Sequence, residues 1–232
     1  MKNRNLLKLF FKQLINLSKR FSRQNLYKFL REEIIKLGKN KNDSYLKILN
    51  IGAGGEISKY ITKIRNANII SLDIDNSRNP DIVGDACDMK MFEDNSFDAV
   101  FLMEVLEHIQ IPQKALDEIY RVLKTDGKLI LSTPFILPIH DEPCDYYRYT
   151  KYGLLFLLNK FQEIIIIRKN SYINSIVVLI ARMLMTKSKQ DKLIGIVLFL
   201  LTILIYPFIY LISKVVSSDQ ATTGYFVTAI KK

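Results

Sequence analysis

The sequence predicts an α/β fold built on a mainly parallel sheet with helices on both faces. Three observations predict it. Short apolar runs bounded by turn residues recur from Tyr45 onward. Helical patterns lie between several of them, most clearly PQKALDEIYRVLK over residues 112–124. The stretch NIGAGGE, a glycine turn, follows the first run and precedes a helical segment. A chain of 232 residues can bury one substantial core, so one domain with appendages is expected.

Along the chain, residues 1–41 come first as a basic helical region. Leu6, Leu7, Phe10, Phe11, Leu14, Leu17 and Phe21 recur at helical spacing, with Lys8, Lys12, Lys19, Arg20 and Arg23 mostly between them. Such a helix can lie on an anionic membrane or pack on its own domain. Residues 42–232 form the second region. Its expected strands are KILNIGA (47–53), NIISLDID (68–75), DIVGDAC (81–87), SFDAVFLME (96–104), GKLILSTPF (127–135), FQEIIIIRKN (161–170) and GYFVTAIKK (224–232). Between the last two lies an insert, 171–223, where a short hairpin connection would suffice. It holds an apolar stretch (171–185), a basic loop (186–192) and the charge-free run LIGIVLFLLTILIYPFIYLIS, Leu193 to Ser213.

Charge is placed unevenly. Residues 1–41 carry twelve Lys and Arg against only Glu32 and Glu33, so they hold ten of the eleven net positive charges. The basic character thus belongs to one appendage, which argues against a domain-wide nucleic-acid surface. Cys87 and Cys144 lack the spacing of a disulfide framework or a CxxC metal site, so a reducing compartment is expected. The lysine-interrupted start does not read as a secretory signal.

Gly52 and Gly54 let the backbone turn tightly beside a ligand, near the amide-rich start of the next helix, with Ala53 between them. Asp73 ends the second strand 21 residues after Gly52, where a carboxylate can accept hydrogen bonds from both hydroxyls of a ribose. Asp85 adds a carboxylate on the same sheet edge. With ILNIGAGGE, SLDID, VGDACDMKMFEDNSFDAV, MEVLEHI and RVLKTDGKLILSTP in order, the chain resembles the class I S-adenosylmethionine-dependent methyltransferases from about Tyr45 to Phe161 and again from Gly224. The resemblance implies a Rossmann-like seven-stranded methyltransferase sheet whose last strand is antiparallel, with S-adenosylmethionine as cofactor. It implies that Gly52, Ala53 and Gly54 hold the methionine part, Asp73 with Ile74 the ribose side, and Asp85 with Ala86 the adenine, with Met103 and Glu104 near the sulfonium. Two positions depart from the family pattern. Asn50 stands where an acidic residue is usual, and Glu56 where a third glycine is usual. Asn50 can still accept a hydrogen bond from the cofactor's ammonium group, without a full charge.

The chain has two histidines, His108 at the end of EVLEH and His140 in the loop after the fifth strand. Methyl transfer to oxygen needs a base for the acceptor's proton or a cation to lower its pKa. Either imidazole suits the first role, His140 foremost. For the second, this segment resembles one in ubiquinone-pathway and small-RNA 2′-O-methyltransferases, and that likeness implies Glu104, Glu107 and His108, with His140 as a fourth candidate, as divalent-metal ligands. The run IHDEPCDYYRYT also resembles a bacterial methyltransferase group associated with envelope polysaccharide and lipopolysaccharide synthesis. On that likeness Asp145, Tyr146 and Arg148 are expected to contact a sugar or its carrier phosphate.

Both ends of the insert must return to one domain, so it is expected to enter a membrane as an interfacial or re-entrant hairpin bent at Pro207, leaving Lys192 and Lys214 at one headgroup surface. A helical cap or dimer interface is the alternative. The sequence therefore predicts a methyltransferase at the cytoplasmic face of a membrane, methylating a hydroxyl of a glycan or lipid-linked sugar. The alternatives are a quinone or phenolic lipid, RNA, or a non-catalytic cofactor-binding role. Nothing in the sequence indicates an oligomeric state.

Overall fold

The computed structural model of the protein describes residues 2–39, 45–216, 218 and 220–232. Seven strands form one sheet: β1 (Leu46–Ile51), β2 (Ala67–Asp73), β3 (Ile82–Val83), β4 (Phe97–Met103), β5 (Leu123–Pro134), β6 (Gln162–Arg168) and β7 (Gly224–Ile230). Their order is β3-β2-β1-β4-β5-β7-β6. Neighbouring strands are parallel from β3 to β5, while β7 runs antiparallel to β5, with Ile130 opposite Thr228. Every strand expected from the sequence is present, and the antiparallel last strand is as the resemblance implied.

Burial explains the strand sequences. All seven residues of β4 are buried, as suits a central strand covered on both faces. In β6, an edge strand, exposed and partly buried residues alternate. β3 is shorter than the sequence suggests: the Asp81 side chain bonds to β2 on one side of it, and the Gly84 amide makes its last ladder bond on the other. The Asp81 carboxylate accepts from the Ser71 backbone and hydroxyl at 2.8 and 2.6 Å, and the Gly84 amide donates to the Asp73 carbonyl. Helix α3 (Pro112–Val122) buries Ala115, Leu116, Ile119 and Val122 in the same core as β4 and β5. That spacing is the one its amphipathic pattern predicts.

The chain divides into two compact units. The sheet unit comprises Phe29–Phe135, Ile139–Ile167 and Gly224–Lys232. The helical unit comprises Met1–Lys28, Ile136–Pro138 and Arg168–Thr223. Helix α1 (Lys2–Lys39) contributes to both. In the sheet unit its second part buries Leu30, Glu33 and Leu37, and Phe29 stacks on Phe226 with centroids 4.5 Å apart. Glu33 accepts from Lys128 of β5 at 2.5 Å and from Lys36 at 2.6 Å.

In the helical unit, α5 (Tyr172–Met183) and α6 (Lys189–Val215) make a helical hairpin. Ser171 and Ser188 cap their N-termini by accepting backbone N–H bonds. A Cβ on Gly195 would meet that of Met183 at 2.6 Å, so a glycine is required where the two helices approach. Leu14 of α1 packs with Ala181, Leu184 and Phe199, flanked by Leu17 and Phe21. The predicted apolar stripe of the first helix is therefore used, in this part, to pack within its own unit. The side chains of Leu6, Leu7, Lys8, Phe10 and Arg20 lie outside the described residues.

The expected bend at Pro207 is not found. α6 runs unbroken from Lys189 to Val215 with Pro207 inside it, so Lys192 and Lys214 stand about 33 Å apart at a rise of 1.5 Å per residue. Proline removes one backbone donor, and a long helix keeps its remaining bonds on either side. The turn of the hairpin falls instead between Met183 and Lys189.

Candidate active site

The chain runs outward from β1 to β3 in one direction and from β4 in the other, so the sheet changes direction between β1 and β4. Crevices at the carboxyl ends of strands beside such a switch receive ligands. The predicted cofactor residues collect there. Gly52 follows β1 with φ +93°, and a Cβ on it would lie 2.4 Å from Val105 Cγ2. Gly54 and Gly55 also have positive φ, at +86° and +68°, where the short helix α2 (Gly55–Ile61) begins.

Asn50 is buried, and its amide donates to Ser58 Oγ at 2.7 Å. Ser58 in turn donates to the Gly52 carbonyl at 3.3 Å. This small network ties the end of β1 to α2 and holds the glycine turn. Ala53 is buried beneath it. Asp73 ends β2, and its Oδ1 accepts from the Asp75 amide at 2.9 Å, which fixes the carboxylate at the sheet edge. Ile74 beside it is exposed, offering an apolar surface. Asp85 accepts from the Cys87 amide, with Ala86 buried between them.

At the end of β4, Met103 is buried and Glu104 takes φ +57°. Glu104 Oε1 accepts from Ser132 Oγ at 2.6 Å. The chain then makes a 3-10 turn, Leu106–His108, which places Glu107 and His108. Among the described residues, Glu107, His108 and His140 offer three ligand atoms within 4.8 Å of one another. Glu104, one of the four expected ligands, is not in that group.

Both imidazoles are held from behind. His108 Nδ1 lies 2.8 Å from the Cys144 carbonyl, which can only accept, so this nitrogen carries the proton. His140 Nδ1 lies at ion-pair distance, 3.3 Å, from Asp145 Oδ2. His108 Nε2 and His140 Nε2 each lie 3.9 Å from the one oxygen Glu107 Oε1, and the rings stand 5.1 Å apart. Glu107 is wholly buried, and its other oxygen accepts from Thr133 at 3.4 Å. A buried carboxylate with two imidazole nitrogens beside it is a donor set that can take up a proton or hold a divalent ion.

Asp145 and Arg148 form a two-pronged pair at 2.5 and 2.6 Å, and Asp145 also accepts from the His140 amide at 2.9 Å. The Arg148 guanidinium holds the Asp145 carboxyl down at about 2, against the desolvation that opposes it. Arg148 is raised by the same pair. Tyr146 keeps an exposed ring and its hydroxyl accepts from Gln110 at 2.9 Å. Burial pushes the Tyr149 phenol up, and it donates to the Leu106 carbonyl at 3.1 Å.

The depressed Asp145 value fixes a sign. Its pair stabilises the fold fully above the unfolded carboxyl pKa of about 4, and that contribution is lost as pH falls through about 2. Urea midpoints are expected to be higher for the wild type than for Asp145→Asn at pH 6, with the gap closing by about pH 2. A gap that does not change with pH would show that the ionised carboxylate is not the source.

The sequence missed the residues that orient this site. Ser132 and Thr133 reach it from β5, and the Cys144 contact is made by a backbone carbonyl, which no side-chain pattern reports. The spacing of Ser132 and Thr133 just before Pro134, at the end of a strand, was the available signal.

Comparison with known proteins adds three findings. Residues 49–131 match the family described as a methyltransferase domain. The demethylmenaquinone methyltransferase of Renibacterium salmoninarum is 34% identical over 96 residues, covering 37% of this chain and 40% of that one. The ubiquinone/menaquinone biosynthesis C-methyltransferase of Haemophilus ducreyi is 29% identical over 107 residues, covering 44% and 41%. Thus the chain spans about 40% of the length of the curated relatives it matches. Among solved structures, phosphoethanolamine N-methyltransferase 2 of Haemonchus contortus superposes with a TM-score of 0.56 at 18% identity, over 90% of this chain and 52% of that one. A methyltransferase from Archaeoglobus fulgidus does so with 0.56 at 16%, over 90% and 95%.

The matched segment is similar to the methyltransferase domain family, and the seven-stranded sheet with its antiparallel last strand is the fold of class I S-adenosylmethionine-dependent methyltransferases. The match covers β1 to β5 within the sheet unit, the part that carries the expected cofactor residues.

Proposed function

We propose that the protein transfers the methyl group of S-adenosylmethionine to a ring hydroxyl, or to the ring carbon it activates, of a quinol or phenolic lipid met at the cytoplasmic face of a membrane. The convergence of His108 Nε2 and His140 Nε2 beside buried Glu107 is the observation that carries this reading. A phenolic hydroxyl is acidic enough for an imidazole to deprotonate. Curated relatives named for demethylmenaquinone methylation support the acceptor class.

In this mechanism Gly52, Ala53, Gly54, Asp73, Ile74, Asp85 and Ala86 hold the cofactor, with Asn50 supporting the turn and Met103 and Glu104 beside the methyl group. The acceptor O–H proton passes to a histidine Nε2. The oxygen, or the ring carbon it enriches, attacks the methyl carbon in line. The methyl–sulfur bond breaks as the new bond forms, and S-adenosylhomocysteine leaves; where carbon is methylated, its ring hydrogen then leaves as a proton and the oxygen regains one. Asp145 acts by orienting His140, and Arg148 by orienting Asp145. Positioning contributes the larger share of the rate.

Glu107, His108 and His140 also suit a divalent ion, which would supply positive charge to lower the acceptor's pKa. Methylation unaffected by a chelator fits the histidine-base mechanism. Loss of activity restored by Mn²⁺, together with Mn²⁺ binding abolished in Glu107→Gln by calorimetry, assigns the ion to these residues.

A lipid-linked sugar is the second reading, favoured by the half-exposed rings of Tyr146 and Tyr147, which can stack on a pyranose face. Incubating enzyme and methyl-labelled cofactor with an envelope extract separates the readings. Label in the quinone fraction is expected. Label in polysaccharide or lipid-linked sugar selects the second reading, and label confined to RNA overturns both.

A further inference from the structure

The outer surface of α6 inverts the pattern of a helix on a water-facing protein. One line of residues turns inward, with Gly195, Phe199 and Thr202 buried and Ile196, Ile203 and Tyr206 partly so. Every charged residue is absent from Leu193 through Ser213. The positions that face away are apolar: Leu193 is 65% exposed, Leu204 75%, Phe208 69% and Leu211 61%. A surface helix normally places its polar residues there. The charge-free run is about 31 Å long, and it is too continuous to be scattered surface leucines.

The helix that covers the inward line is basic. Phe21 of α1 meets Phe199 edge-on with centroids at 6.2 Å and Tyr206 at 5.0 Å, and Leu14 joins Phe199 in one cluster. From Lys2 to Lys28 this helix carries eight Lys and Arg and no acid. Lys12 and Lys19 are exposed beside its packed stripe. Lys187, Lys189 and Lys192 flank the start of α6, and Lys214 lies over the Tyr210 ring near its end. Apolar surface and positive charge thus occur in adjoining layers of one unit, as an anionic lipid surface requires.

The insert also enters and leaves on one side. The Asn170 amide N–H donates to Thr222 Oγ1 at 3.2 Å, and its side chain donates to Thr223 at 2.5 Å, clasping the two ends together. Twelve-residue α5, about 18 Å long, is too short to supply a return crossing.

We propose that α6 lies lengthwise within one leaflet of an anionic bilayer, with the basic first part of α1 covering it on the headgroup side. This deepens the membrane placement in the proposed function. It is tested without methyl transfer, so the two can fail separately.

The chain has no tryptophan, so a single introduced one reports alone. Full-length Leu204→Trp and Phe208→Trp are mixed with vesicles of phosphatidylcholine, with or without phosphatidylglycerol, carrying acyl-brominated lipid in one leaflet or the other. Emission is expected to shift to the blue and to be quenched from the outer leaflet. Binding is expected to weaken about tenfold or more without the anionic lipid, since each basic residue near such a surface contributes on the order of 1 kcal/mol. Leu204→Lys with Phe208→Lys, both at exposed positions, is expected to lose vesicle binding while keeping S-adenosylhomocysteine binding. Unshifted emission in anionic vesicles overturns the proposal, as does equal quenching from both leaflets. A dimer that the lysine variant dissociates, with no vesicle binding, assigns the face to a second copy instead.

Discussion

Gly52→Ala is expected to abolish measurable binding of S-adenosylmethionine. The backbone there has φ +93°, which side chains rarely adopt, and the added carbon would stand 2.4 Å from Val105 Cγ2. Neither problem is easily relieved. Val105 follows Glu104, itself at φ +57°, so the obstacle belongs to a second constrained turn at the end of β4. Strain and overpacking together cost on the order of 3 kcal/mol, about a hundredfold in cofactor affinity if the turn opens to relieve them. Calorimetry with S-adenosylhomocysteine and a thermal melt read the two effects. Asp73→Ala is the companion: affinity falls while the melting temperature stays close to that of the wild type. Native affinity in Gly52→Ala would show that the turn does not form the cofactor cradle.

The second large effect is expected at His140. His140→Ala should lower kcat by about 10² to 10³, within the range typical of a lost general base, while the affinity for cofactor changes little. Asp145→Asn should give a smaller loss, because Asp145 holds the His140 amide and the Arg148 guanidinium. A loss as large as that of His140→Ala would show that Asp145 does more than hold the loop. Unchanged kcat in His140→Ala would pass the role to His108.

Much of this site is legible in the sequence because it depends on short-range pattern. Seven apolar runs gave seven strands, and glycine at position 52 and aspartate at 73 mark the ends of β1 and β2 through backbone geometry that few residues satisfy. The grouping of Glu107, His108 and His140 was legible only in part. Residues 107 and 108 are neighbours in the chain, yet their orientation depends on a carbonyl at 144 and a carboxylate at 145, more than thirty residues away. Glu104 illustrates the limit. The family likeness implied that it would share an ion with His108, but a left-handed residue and a 3-10 turn place it otherwise, and Ser132 donates to its carboxylate. The Pro207 bend failed for another reason: proline weakens a helix locally, and a run of apolar neighbours carries the helix past it.

The place of β7 in the sheet bears on how the chain acquires its fold. The strand lies between β5 and β6, yet it is made after both, with α5 and α6 in between. During synthesis β5 and β6 therefore wait on either side of an empty lane. The apolar helix is made before the strand that completes the sheet. Residues 128–134 of β5, which later pair with β7, then have a bare edge, a template for mispairing. A bilayer that captured α6 at that moment would remove the most adhesive segment from solution before the last strand arrived. Assembly order and membrane capture would then be one process, with the enzyme completed only after it has been delivered.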